Sequence, residues 1–200
     1  MTTVWLLVAL LVPFAFFDVW YFLSGFFTWM VAKIQKTIRK KGVLEDVVTY
    51  GLVTTTDLGF GFHKNNARFS RKCDFARFQL SESTGIWDSL AKLGGVTTVG
   101  ASSSTIRFRR SLHFLEPFRV RSKVLCWDDK AFYVEQRLES LRDNFICAIV
   151  YCKQTVLRTS PAKVVEATCG EPMASPEFPS EITTWIEINK ISSEKLRKSL

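Results

Sequence analysis

The stretch from Thr55 to Phe69 constrains the fold and the chemistry of this chain more than any other. It brings Asp57, His63, Asn65 and Asn66 within ten positions, between a β-rich segment and a helical one. The start of a helix leaves amide N–H groups without intrahelical partners and carries the positive end of the helix dipole. Such donors stabilise an oxygen that gains negative charge. The stretch therefore predicts a site for hydrolysis at a polarised carbonyl.

The flanking segments predict a strand that leads into this stretch and a long helix that leaves it. Val47–Thr56 is rich in valine and threonine, which favour a strand. Asn66–Leu80 favours a helix, because apolar side chains recur there at helical spacing. The expected buried stripe consists of Phe69, Cys73, Ala76 and Leu80.

The rest of the chain predicts one more helix and then an antiparallel meander. A short helix is expected over Ile86–Leu93, closed by Gly94 and Gly95. Polar turns then separate four expected strands. Their bounds are Val96–Phe108, Phe118–Trp127, Ala131–Leu141 and Phe145–Leu157. Because strands and helices do not alternate, the fold class is α+β.

The residues of the central stretch resemble the signature of the hot-dog-fold thioesterases, the 4-hydroxybenzoyl-CoA thioesterase-like superfamily. The similarity covers roughly Phe17 to Ser193 and includes further segments, such as Cys73–Arg77 and Ile106–Leu112. It implies a long central helix wrapped by a curved antiparallel sheet. It also implies an acyl thioester substrate such as acyl-CoA, no cofactor or metal, and a homodimer with its sites at the dimer interface.

The resemblance assigns roles to the four polar residues of the stretch. Asp57 would act as nucleophile or as general base on water, and His63 would orient water or polarise the carbonyl. Asn65 and Asn66 would donate to the substrate carbonyl or fix His63. The alternative roles are a turn or cap for Asp57, a structural histidine, and helix capping by the asparagines. Many family members carry a second acid two positions after Asp57, where this chain has Gly59.

A group of arginines on neighbouring predicted strands is a candidate site for the phosphates of CoA, since guanidinium groups suit phosphate oxygens. The group consists of Arg107, Arg109, Arg110, Arg119 and Arg121, with Lys123 beside them. The alternative is a solvated strand face. The net charge of +8 favours an anionic partner. We do not expect nucleic acid as that partner, because aromatic and basic residues do not alternate on an exposed strand.

The N-terminal segment predicts contact with a membrane. Val4 to Val31 carries Asp18 as its single charge, and Lys33, Lys36 and Arg39 follow. A helix of this length could cross a bilayer, and the following basic residues would place the domain on the cytosolic side. We expect the endoplasmic reticulum membrane. Two alternatives stay open: a cleaved signal peptide near residues 1–17, which would give a secreted protein, and an interfacial helix over Val19–Ile38.

The chain therefore divides into three parts. Residues 1–44 form the hydrophobic segment with its basic flank, 45–160 the hot-dog domain and 161–200 a proline-containing tail with an extended start and a helix over Ile182–Leu200. Five cysteines without a CxxC spacing indicate free thiols. No Gly-x-Ser-x-Gly elbow is present. With two histidines in the chain we expect no zinc site.

Two functions fit this sequence. The first is a membrane-anchored acyl-thioester hydrolase of lipid metabolism. The second is a catalytically weak or inactive hot-dog scaffold that binds acyl chains or protein partners at a membrane, and Gly59 in place of an acid favours it.

Overall fold

The computed structural model describes residues 5, 12, 14, 17–93 and 99–198. The helices of these residues are α1 Val19–Ile38, α2 Asn66–Thr84, α3 Ile86–Leu93, α4 Pro161–Cys169 and α5 Ser180–Lys198, and a short 3₁₀ helix spans Thr55–Asp57. The strands are β1 Val47–Leu52, β2 Val99–Phe108, β3 Pro117–Trp127, β4 Ala131–Ser140 and β5 Ile146–Val156.

The strands form one antiparallel sheet in the order β1-β3-β4-β5-β2. The long helix α2 packs against one face of it. Its predicted stripe is buried: Phe69, Cys73 and Ala76 pack with Val120 of β3 and Leu138 of β4. The α+β class is confirmed, because the helices pack on an antiparallel sheet and do not alternate regularly with its strands along the chain.

A second part of the core lies beyond the C-terminal end of α2. Gly85 ends α2 in the left-handed conformation, which glycine adopts without strain. This turn directs α3 back towards the sheet, where Leu90 packs with Trp127, Val164 and Val165. The latter two valines belong to α4, so the segment after the sheet contributes to the core.

The segment after residue 160 is more ordered than the sequence indicated. Ser160 caps α4 by accepting from the N–H of Lys163, and Pro161 occupies the first helical turn. The prediction of an extended start was therefore wrong for Pro161–Cys169: proline at this position fits a helix, because its missing N–H has no partner there. Further on, Ile182 of α5 packs with Tyr133 on the outer face of the sheet.

Helix α1 packs along α2. Asp18 caps it by accepting from the N–H of Tyr21, and Asp18 Oδ2 pairs with Arg71 at 2.7 Å. Its other side is exposed and carries large apolar side chains: Phe22, Phe26, Trp29, Met30, Ile34 and Ile38. Within the described ranges, no helix has both the length and the apolar run that a bilayer crossing requires. Most of Val4–Phe16, the first half of the predicted membrane segment, lies outside these ranges.

Candidate functional site between the first helix and the sheet edge

A cavity of about 500 Å³ opens between α1, β1 and the first half of α2. This volume lies within the range typical of small-molecule sites, about 300–1,000 Å³. Apolar side chains make up most of its walls: Trp20, Leu23, Phe27, Val31, Val48, Leu52, Phe75 and Phe118. Its charged side chains are one acid and four cations: Asp57, Lys64, Arg68, Arg71 and Lys72.

Asp57 reaches this cavity because the 3₁₀ helix after β1 turns its side chain towards α2. Its Oδ1 accepts from the ammonium of Lys64 at 2.8 Å. Its Oδ2 accepts from the N–H of Thr54 at 3.2 Å and from the Thr54 hydroxyl at 3.4 Å. The side chain keeps 21% of its surface exposed. An ionised carboxylate has about four acceptor positions, so the three donors fix its orientation and leave capacity towards the cavity.

Lys64 is the residue that sequence reasoning missed. Its side chain is 1% exposed, and its ammonium lies 5.0 Å from the ring centroid of Phe118 and 5.9 Å from that of Phe69. Burial lowers the pKa of Lys64, and its hydrogen bond to Asp57 opposes this lowering. An ammonium between two rings and a carboxylate stabilises negative charge in the cavity.

Lys72 adds a second cation from the next turns of α2. It lies in the cavity wall, and its pKa is lowered first by burial and then by the charge of Lys64. Arg71 in the same wall is already paired with Asp18 and stacks over Tyr21 at 4.9 Å. The positive charge of this end of the cavity therefore exceeds the negative charge of Asp57.

His63 is not part of the cavity wall. Its Nδ1 lies 3.0 Å from the carbonyl oxygen of Gly61, and a β-bridge joins it to His113. A Cβ on Gly61 would come within 2.6 Å of the His63 ring, so the absence of a side chain at Gly61 makes room for the imidazole. The structure therefore does not bring His63 and Asp57 together in one cavity.

The two asparagines lie at the start of α2. Asn65 is its N-cap and accepts from the N–H of Ala67 at 2.9 Å. Its backbone carbonyl accepts from the N–H of Arg68, so two amide donors at this helix end are occupied. Asn66 is exposed and neither asparagine is in the cavity wall. The helix start thus offers fewer open donors than the sequence suggested.

Gly59 stands where the resemblance to the hot-dog thioesterases implies an acid, and its backbone does not require glycine. Its φ is not in the positive range, and a Cβ there would lie 3.5 Å from Nδ2 of Asn65, an ordinary contact. Chain geometry therefore does not exclude an acid at this position, although Gly59 is not part of the cavity wall.

The predicted arginine group lies away from the cavity, and most of its members are ion-paired. Arg110 makes two bonds to Asp143, at 2.5 and 2.8 Å. Arg119 and Arg121 both donate to Glu139. Arg109 stacks over Phe145, and Arg107 is exposed. Binding of CoA phosphates by this group stays a prediction.

Other chemistry receives no support from the geometry. Burial raises the pKa of the Cys73 thiol to about 12, so it is protonated and unsuited to nucleophilic attack at neutral pH. All five cysteines are free. Among the described residues, no group of three or more histidine, cysteine, aspartate or glutamate side chains is placed to hold a metal ion.

Comparison with known proteins agrees with this geometry. Residues 53–186 match the family model of the thioesterase-like superfamily. The chain is 42% identical to the THEM6 protein of Xenopus laevis over 92% of its own length and 87% of that protein. It is 40% identical to the THEM6 protein of Danio rerio over 96% of its own length and 94% of that protein.

A solved structure shares the fold at low sequence identity. The hypothetical protein TT1821 from Thermus thermophilus superimposes with a TM-score of 0.54 at 15% identity, over 64% of this chain and 99% of that one. The helix α2 against a five-stranded antiparallel sheet is the hot-dog fold. Family match, relatives and fold agree, and the chain belongs to the thioesterase-like superfamily.

Proposed function

We propose that this protein is an acyl-thioester hydrolase that acts on acyl-CoA at a membrane surface. The observation that carries the proposal is the position of Asp57, in the wall of a 500 Å³ cavity whose other surfaces are mostly apolar. An acyl chain needs such walls, and a thioester needs a carboxylate or a carboxylate-activated water near its carbonyl carbon. Membership of the thioesterase-like superfamily supports thioester hydrolysis as the reaction class.

Each group at the charged end has a task in this reaction. Asp57 takes a proton from a water molecule, and the hydroxide adds to the thioester carbonyl carbon. Lys64 and Lys72 oppose the negative charge that develops on the carbonyl oxygen in this partly dry site. The C–S bond then breaks, the thiolate takes up the proton, and the products are a carboxylate and free thiol.

The test is thiol release by the full-length protein in phospholipid nanodiscs, with a panel of acyl-CoA chain lengths. We expect turnover of at least one long-chain acyl-CoA. Asp57→Asn should lower kcat by at least about 100-fold, since general bases contribute roughly 10²–10⁴-fold. Asp129→Asn is the matched control, because Asp129 is exposed in the turn between β3 and β4. Equal rates for Asp57→Asn and the unmodified protein would contradict the role of Asp57.

The second candidate is a protein that binds acyl groups without cleaving them. The engagement of Asp57 by Lys64 and Thr54, and the position of His63 outside the cavity wall, favour it. Calorimetric titration with palmitoyl-CoA separates the two functions. Binding without thiol release at any chain length would support the second and exclude the first.

Membrane contact is the second element of the proposal. The exposed side of α1 carries Phe22, Phe26 and Trp29, and Lys33 lies in the following turn. Aromatic side chains beside basic ones suit the interface of a bilayer with anionic lipids. We propose the cytosolic face of the endoplasmic reticulum membrane as the location of the domain, because basic residues follow the hydrophobic segment. Vesicle flotation tests the contact: Phe22→Ser with Phe26→Ser should reduce the floated fraction, and an unchanged fraction would contradict it.

A homodimer is the third element. Strand β2 ends the sheet on one side, and in the described part of the chain no other strand pairs with its outer edge. A second copy could continue the sheet there and cover the unpaired backbone groups. Analytical ultracentrifugation should give twice the mass of 22.9 kDa. Monomers at all concentrations would rule this out.

A further inference from the structure

We propose that α1 is one wall of the acyl-binding site, so that the acyl chain lies between this helix and the body of the domain. This inference rests on the proposed function for the identity of the ligand. The cavity is bounded on one side by Trp20, Leu23, Phe27 and Val31 of α1. The opposite side consists of β1 and α2. Without α1 the site would lose the apolar side formed by these four residues.

The position of α1 is fixed by specific contacts along its length. At its start Asp18 pairs with Arg71. In the middle Gly25 lies under Phe75, where an added Cβ would be 3.5 Å from the ring. Towards its end Lys36 reaches the fully buried Glu82 at 3.2 Å. These contacts hold α1 against α2 by two ion pairs and van der Waals contact, so the wall is a built part of the domain.

The cavity is chemically different at its two ends. The end near Asp57 carries the cations described above. At the other end Gln79 donates to Gln35 at 2.9 Å and accepts from Thr49 at 2.8 Å. These groups satisfy one another, so they form a neutral polar boundary. A cavity with a cationic end, apolar walls and a neutral boundary suits a single-chain amphiphile with an anionic or thioester head.

The length of the wall favours a long acyl chain. Trp20 to Gln35 spans 15 helical positions, or about 22 Å at roughly 1.5 Å each. The thioester would lie at the Asp57 end and the methyl end would approach Gln79. Because the amides of Gln35 and Gln79 close that end, they set the upper limit of chain length.

Two exposed phenylalanines give a matched pair for the test. Phe27 lies in the cavity wall and is 57% exposed, whereas Phe114 lies outside the wall and is 43% exposed. We expect Phe27→Ala to weaken palmitate binding and to raise KM for palmitoyl-CoA roughly tenfold, the cost of losing a large apolar contact. The KM for butyryl-CoA should change little. Phe114→Ala should leave KM for both substrates unchanged.

A variant that places a larger side chain in the cavity tests the same inference independently. Ser24 also lines the cavity, so Ser24→Phe should shift the preferred substrate towards shorter chains, while Ser24→Ala should not. Circular dichroism and the thermal midpoint verify that each variant is folded. Palmitate binding is measured by calorimetry in nanodiscs and needs no catalysis. If palmitate binding depends on Phe27 but no acyl-CoA is hydrolysed, this inference is supported and the proposed hydrolase activity is contradicted. Hydrolysis with the same chain-length profile in all four variants would overturn the inference and keep the hydrolase.

Discussion

Two groups of basic side chains in the described part of the chain differ in how their charge is compensated. On the outer face and edge of the sheet, Arg110 has Asp143, and Arg119 and Arg121 share Glu139. In the cavity, Lys64, Arg68 and Lys72 share Asp57 as the single acid of the wall. A basic side chain that is paired with its own carboxylate has its charge compensated. A group of basic side chains that outnumbers its carboxylates keeps positive charge and can bind an anion.

The same comparison holds for burial. The Arg110–Asp143 pair is partly exposed, at 35% and 49%, so water screens it and its contribution to stability is small. Lys64 is nearly dry, and burying its charge costs free energy that Asp57 offsets in part. A buried charged side chain with a shifted pKa in the wall of a cavity is typical of a functional site. The predictions below test this difference.

The largest effect is expected at Lys64. Lys64→Met keeps the length and apolar packing of the side chain but removes the charge that faces Asp57. We expect kcat for thioester hydrolysis to fall about 100-fold, the loss typical of removing a group that stabilises an oxyanion. The free energy of unfolding should fall by up to about 3 kcal/mol, because Asp57, which is 21% exposed, loses its cationic partner.

The control for this variant is Lys123→Met, on the exposed outer face of β3. It should change neither kcat nor the urea midpoint beyond the error of the measurement. If both lysine variants behaved alike, the distinction between the two basic groups would fail.

The next effect concerns Glu139, the acid that satisfies two arginines. Its side chain is 9% exposed and accepts from Arg119 at 2.5 Å. Glu139→Gln keeps the shape and removes the charge, so two guanidinium groups lose their common partner. We expect a loss of about 1–3 kcal/mol in the free energy of unfolding, measured by urea titration, with kcat/KM unchanged. If kcat/KM fell by more than the loss of folded protein explains, the outer face would be connected to catalysis.

A smaller effect should appear in the pH dependence of stability. The pKa of Lys64 in the folded protein lies below its ordinary value of 10.5. Between these two values the unfolded chain binds more protons than the folded one, so the free energy of unfolding rises with pH. Compared with Lys64→Met, the unmodified protein should gain stability from neutral pH to pH 10.5. Urea unfolding of both proteins across that range measures the difference, and parallel curves would contradict the lowered pKa.

Much of the fold was predictable because it depends on local periodicity. The stripe of α2 follows from helical spacing, the end of α3 from Gly94 and Gly95 after it, and the strands were placed within a few residues. Helix α4 was not predicted, because the prolines after residue 160 indicated an extended segment. The missed signal was Ser160 before it, since serine followed by proline is typical of a helix start.

The site was less predictable because it depends on contacts between distant segments. Lys64 is buried by Phe118, which lies 54 positions later on another strand. The arginines were grouped by sequence, but their partners follow from strand register, in which Arg119 lies opposite Glu139. A pattern identifies a strand more readily than its register. Asp57 was identified because its motif is local.

The smallest effect is expected at Arg110, where the sequence predicts phosphate binding and the structure shows an existing partner. Its bidentate bond to Asp143 lowers the pKa of that carboxyl to about 2, so the pair stays ionised over the whole range of ordinary assays. To bind Arg110, a phosphate would have to displace the carboxylate of Asp143. Binding to the cations of the cavity needs no such displacement. Arg110→Gln should therefore leave KM for palmitoyl-CoA unchanged, and so should Asp143→Asn. A KM that rises for palmitoyl-CoA in Arg110→Gln, but not for the palmitoyl thioester of N-acetylcysteamine, would identify Arg110 as a nucleotide contact. In that case the outer-edge arginines, and not the cations of the cavity, would receive the phosphates, and the contrast between the two basic groups would reverse.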